Sequence, residues 1–161
     1  EQARLLARRY DAVIANPPYM GSKGMNAELK EFAKVSFPDS KSDLFAIFIE
    51  RGFELLKEHG LHAMVTMQSW MFLSSYENLR YKLLEHSSIE CMAHMANMVM
   101  GIAFGTAATV CKKGGHVLTK GAYCYVEYED IDESGKPNRF PPLNERNLKA
   151  AKQVDQESAN G

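Results

Sequence analysis

The chain has 161 residues, of which 45% are hydrophobic and 24% charged, with a formal net charge of -1 and a pI near 6.6. That length supports one domain with a real core and leaves little room for two, while the near-neutral balance excludes a domain that grips nucleic acid by its own basic excess. Cys91, Cys111 and Cys124 are odd in number and lack any CxxC or Cys/His spacing, so neither a disulfide framework nor a metal site is indicated, and a reducing cytoplasm is the default.

No stretch approaches the roughly 18 apolar residues of a spanning helix, which argues against a membrane partner. The opening Glu-Gln-Ala-Arg-Leu-Leu-Ala-Arg-Arg is too polar for a secretory signal. It also lacks an initiator Met, and we read it as a boundary inside a longer protein. Leu5 and Leu6 give residues 1–9 the spacing of a helix tail. Asp11-Ala-Val-Ile-Ala15 is an apolar, β-branched run stopped by a proline pair, the pattern of a buried parallel strand. Met20 to Ser42 is rich in Gly, Ser, Lys and Asp, which predicts a long functional loop with only a weak helical patch over 27–34.

From Asp43 to His59 the apolar residues Leu44, Ile47, Phe48, Phe53, Leu55 and Leu56 predict a helix, with Ser42 or Asp43 as N-cap and Gly60 as its stop. Leu61–Met67 follows as a second strand. Ser75–His86, with Leu79, Leu83 and Leu84 on one face, reads as another helix. Ile89–Met95 and Ala107–Cys111 are further strands, and Tyr123–Tyr128 adds a strand or an edge ribbon. This order predicts an α/β fold, half of a doubly wound sheet ending in an antiparallel pair. Residues 1–129 form the partial domain; 130–161 are polar and Pro-bearing, a connector or solvated helix toward a further region.

In open α/β sheets ligands sit beyond the carboxyl ends of the parallel strands, which is where Asn16-Pro17-Pro18-Tyr19 stands. The two prolines fix their own φ and restrict the residue before each, making a stiff loop. An exocyclic base amine is a poor nucleophile because its lone pair is delocalised. Two acceptors aimed at its hydrogens, the Asn16 side-chain oxygen and the Pro17 carbonyl, localise that lone pair and disperse the charge that develops when a methyl group is transferred. A base must leave the duplex to reach such a loop. Tyr19 offers it an aromatic face; because unstacking costs a few kcal/mol and one stacking contact returns roughly 1–3 kcal/mol, a second wall is expected at Phe104 or Trp70. The bland alternative is an Asn-initiated turn beside a packed Tyr.

With its flanks, the loop resembles the amino-methyltransferases of the class I fold, specifically the adenine-N6 DNA methyltransferases of bacterial restriction and phage defence. Tyr10-Asp-Ala-Val-Ile-Ala-Asn-Pro-Pro-Tyr19 resembles their catalytic segment, and Ser42–Gly60 and Leu61–Trp70 their next helix and strand. Ala103-Phe-Gly-Thr-Ala-Ala-Thr-Val-Cys-Lys-Lys113 is similar to the hairpin whose aromatic residue walls the base pocket. The segments Tyr19–Asn26 and Phe37–Phe45 most resemble the PglX-type enzymes of the BREX phage-defence system.

The resemblance implies the C-terminal part of a Rossmann-like class I sheet. Asn16, Pro17 and Tyr19 are the implied catalytic residues, with Pro18 and Phe104 against the base. Asp43 and Phe45 fall near the adenosine of S-adenosyl-L-methionine; as plain structure they are an N-cap and a core Phe. Trp70 and the methionines, Met64, Met67, Met71, Met92, Met95, Met98 and Met100, suit packing better than ligand binding. The family's glycine-rich cofactor loop is not recognisable, since only fifteen residues precede Asn16 and none is Gly. The implied partners are DNA and the remainder of the methyltransferase, with self-association through an exposed sheet edge as a further expectation, and the 161 residues by themselves are expected to be inactive. Cytosine N4 and a protein glutamine amide present the same type of nitrogen and stay open as substrates, and a non-catalytic assembly module stays open as a different class.

Overall fold

The computed structural model describes residues 2–114 and 120–151. A short helix α1 (Gln2–Leu6) leads into β1 (Tyr10–Ala15). The catalytic-loop candidate and α2 (Ala27–Ser36) follow, then α3 (Leu44–Leu55), β2 (Leu56–Met67), α4 (Glu77–His86), β3 (Ser87–Met95), β4 (Thr106–Lys113) and β5 (Ala122–Val126). The sheet order is β1-β2-β4-β3-β5. β1 runs parallel to β2 and β3 to β5, while β4 is antiparallel to both β2 and β3. β1, β2, β3 and β5 therefore all end at one edge, the edge at which β4 begins. The antiparallel pair expected from sequence is present as β3–β4; β4 lies inside the sheet between β2 and β3, and β5 adds a fourth parallel strand beyond β3.

One face of the sheet is covered by α3 and α4. Phe45, Ala46 and Ile49 of α3 and Leu79 of α4 close over Met64, with Trp70 and Tyr76 filling the end nearest the carboxyl edge. Alternation along β2 sends His62, Met64 and Thr66 into this core and Leu61, Ala63 and Val65 to the other side. That other face is open. Ile14 is 80% and Tyr123 61% exposed, beside an apolar groove of about 500 Å³ crossed by Ala63, Val65, Ala93 and Val110.

Two boundaries differ from those expected. The loop after Tyr19 holds a ten-residue helix, α2, capped by Asn26, whose side chain accepts from the Leu29 N–H at 2.8 Å. It covers and extends the weak helical patch expected over 27–34, and Met25, Ala33, Phe37 and Ile47 give it a small core of its own. Helix α3 stops at Leu55 and not near Gly60. Leu56, 1% exposed, turns into the sheet and pairs with Tyr10, and Lys113 caps the helix end from β4, its Nζ donating to the carbonyls of Phe53 (3.0 Å) and Leu56 (3.2 Å). A cap supplied from 57 residues away leaves no local signature. The positive φ lies at His59 (64°) rather than at Gly60. Met64 is core as expected, but Met98 and Met100 are 48% and 49% exposed, so those two methionines are not core filling.

Candidate active site at the carboxyl edge of the sheet

Asn16 is the first residue past β1, exposed at the edge, while Pro17 behind it is buried and Pro18 exposed. A fixed, buried Pro17 anchors the backbone of the loop, so that the main chain at Asn16 and Pro17 has little entropy left to lose. Tyr19 is half-buried. Its hydroxyl reaches the Val65 carbonyl of β2 at 3.4 Å, and burial pushes its pKa above the ordinary tyrosine value, which keeps it a neutral aromatic surface.

Two aromatic rings meet Tyr19 edge on. Phe45 stands at 6.1 Å and 90°, and Phe104 at 5.6 Å and 68°. Sequence placed Phe104 opposite Tyr19, and the structure brings these residues together across a separation of 85 positions. The two rings touch, however. A base sandwiched between parallel rings needs twice the carbon contact distance, roughly 7 Å, so Phe104 has to rotate away from Tyr19 before a base can lie between them.

Asp43 caps α3, its Oδ1 accepting from the Phe45 N–H at 3.2 Å. The same oxygen accepts from the Met20 N–H at 2.9 Å. Leu44 N–H donates to Met20 O (2.9 Å) and Ser22 N–H to Ser42 O (3.0 Å). The excursion carrying α2 is thus closed at its base, and Asp43 latches the residue after Tyr19 to the first turn of α3. Phe45 is fully buried. Tyr76 packs against it at 5.8 Å, and burial together with the nearby Asp43 charge pushes the Tyr76 hydroxyl up to about 12. Trp70 is a core residue, 6% exposed, donating from Nε1 to Thr66 Oγ1 at 3.1 Å. It does not join Tyr19 as a wall.

Sequence reasoning did not single out the polar group beside this site. Gln68, the first residue past β2, sits against Gly105, and its Oε1 is 2.7 Å from His94 Nε2 on β3. His94 lies against Tyr125 of β5, at 4.8 Å and 83°. Residues scattered over 68–125 acquire a common position only through strand order, so no spacing rule finds them.

A model of the Eco57I restriction-modification methylase family matches residues 4–99. The adenine-specific methyltransferase BrxX of Escherichia coli O9:H4 (strain HS) is 50% identical, over 91% of this chain and 12% of its own length. The adenine-specific methyltransferase PglX of Lacticaseibacillus casei (strain Zhang) is 46% identical, over 57% of this chain and 8% of its own. The chain therefore spans about an eighth or less of these relatives. Among solved structures, one described as a class I S-adenosylmethionine-dependent methyltransferase from Listeria monocytogenes shares the fold, with a TM-score of 0.59, 16% identity, and coverage of 75% of this chain and 38% of that one.

Proposed function

The chain belongs to the Eco57I restriction-modification methylase family, and on that premise we propose that its Asn16–Tyr19 loop is the methyl-acceptor half of a DNA adenine-N6 methyltransferase acting in phage defence or restriction-modification. The observation that carries the reading is the stiff loop itself. An exposed Asn sits on a buried Pro at the carboxyl end of a parallel strand, and the next aromatic ring is held edge on by Phe45 and Phe104.

The groups present fit the acceptor side of the transfer. The Asn16 carbonyl and the Pro17 main-chain carbonyl are acceptors for the two hydrogens of an adenine N6 amine, which favours a pyramidal nitrogen with its lone pair directed at the methyl donor and disperses the positive charge as it forms. Tyr19 stacks the flipped base, Pro18 borders it, and Phe104 becomes the second wall once its ring has turned. S-adenosyl-L-methionine, when bound, supplies the electrophilic methyl group. Asp43 and Phe45 belong to the margin of its site. With Asp43 Oδ1 taken by two main-chain N–H groups and Phe45 sealed in the core, their contribution is to hold that wall in place. Asn144, Arg146 and Asn147 pack back on Tyr125 of β5, and the working partners are DNA and the rest of the methyltransferase, in the cytoplasm.

Cytosine N4 and a glutamine amide offer the same nitrogen chemistry, and the assay must separate them. Full-length protein is incubated with methyl-labelled S-adenosylmethionine and, in turn, unmethylated genomic DNA and a glutamine peptide, and the DNA product is resolved by nucleoside. Label in N6-methyladenine alone supports the proposal; label in N4-methylcytosine or in the peptide rejects it.

A further inference from the structure

We propose that Gln68 and His94 are a positioning pair that fixes the main chain bearing Phe104, so that base entry turns only the Phe104 side chain and leaves the wall's anchor in place. This inference rests on the reading of Tyr19 and Phe104 as the walls of the base pocket.

The amide of Gln68 lies flat against the bare Cα of Gly105. A methyl group there would come within 2.5 Å of Gln68 Cδ and Oε1 and 2.7 Å of its Nε2. Only glycine admits that approach. The Gln68 N–H also donates to the Gly105 carbonyl at 3.0 Å, so the residue next to Phe104 is gripped through both main chain and side chain. The far end of the amide is tied in turn: Oε1 is 2.7 Å from His94 Nε2, where an Nε2–H tautomer donates to it. A free glutamine side chain loses rotamer freedom when held in one pose. An apolar side chain would fill the same space without needing a partner, so the histidine contact is what selects this pose.

His94 does not move freely either. Phe72 tilts over it at 5.9 Å and Tyr125 meets it edge on at 4.8 Å. The Arg146 guanidinium covers the Tyr125 ring at 4.2 Å. Asn147 clasps the Tyr125 main chain, accepting from its N–H at 2.8 Å and donating to its carbonyl at 2.9 Å. The support for Phe104 thus runs from residues 146–147 through Tyr125, His94 and Gln68 to Gly105. Tyr19 and Phe104 are in edge contact at 5.6 Å, so the ring must swing when a base arrives. With Gly105 fixed, it swings about its own χ angles and comes to rest in one place, which is the precision a near-attack geometry requires.

The test uses full-length protein, methyl-labelled S-adenosylmethionine and unmethylated genomic DNA, and reads kcat and KM separately with melting temperature as a control. Gln68→Met keeps the length and packing of the side chain but loses the hydrogen bond, and His94→Ala removes the anchor. Both lower kcat by about ten- to a hundredfold with the KM for S-adenosylmethionine unchanged. His94→Gln, which keeps an N–H donor, restores most of the rate. Wild-type kcat in Gln68→Met and His94→Ala, alongside a reduced rate in Phe104→Ala, overturns the pair's role while leaving the wall intact. Wild-type kcat in Phe104→Ala overturns the wall, and the pair's role with it.

Discussion

At the scale of single residues, the proposed chemistry depends on Asn16 and on the stiffness of the proline loop that carries it. Asn16→Ala removes one of the two acceptors while leaving Pro17 buried and Tyr19 in place, so kcat in the full-length protein falls roughly a hundredfold or more with little change in affinity for S-adenosylmethionine; steady-state kinetics checks this. A different residue sets a pH limit. His62 is 3% exposed, its ring stacked on Phe53 at 4.4 Å, and its Nε2 has no hydrogen-bond partner among the described residues. Burial holds its pKa down from 6.5 to about 4. The unfolded chain therefore takes up the proton first. Stability is unaffected by His62 above pH 6.5 and is lost as pH falls from there toward 4, by about 3 kcal/mol in all. Melting curves for wild type and His62→Gln should diverge in slope over that window, the variant being flatter; parallel curves would remove His62 as the cause.

Secondary-structure elements are held to one another at a few close approaches. Gly52 of α3 lies on β2 so tightly that an added methyl would stand 2.5 Å from His62 Nε2 and 2.9 Å from Met64 Cε. Gly52→Ala gains helix propensity but forces α3 off the sheet, a net loss of about 1–3 kcal/mol by overpacking, measurable as a lower melting temperature. Asp43→Ala removes the α3 cap, worth about 1 kcal/mol, and frees the Met20 amide, so hydrogen exchange at Met20 and Phe45 should quicken together. What was legible in sequence follows the same division. The apolar runs before Asn16 and over Leu61–Met67 and the Ser or Asp ahead of Leu44 are local signals, and they located β1, the second half of β2 and the start of α3, although β1 is parallel without being buried. The end of α3 was not legible, because Lys113 caps it from another strand. α2 was legible only as a weak helical patch over 27–34, because apart from Ala33 its core comes from Met25, Phe37 and Ile47, outside its own span. Asn16 and Tyr19 were legible as a motif, and Phe104 through resemblance, but the edge contact between Tyr19 and Phe104 exists only in three dimensions. Gln68 and His94 carried no sequence signal at all.

For the whole molecule, the open face of the sheet governs behaviour. β1 is hydrogen-bonded on one side only, and Ile14 and Tyr123 stand exposed beside an apolar groove of about 500 Å³. Exposed apolar patches and unpaired strand edges favour association. These 161 residues expressed alone should therefore sediment above monomer mass at micromolar concentration and show no calorimetric binding of S-adenosylmethionine. A clean monomer that binds the cofactor at micromolar concentration would refute both expectations. The central claim, that this loop presents adenine N6 for methylation, is tested most directly by nucleoside mass spectrometry of DNA from cells carrying the complete system, with either the wild-type or the Asn16→Ala full-length protein. N6-methyladenine is expected with the wild type and none above background with the variant; equal N6-methyladenine in both would rule out the role of Asn16.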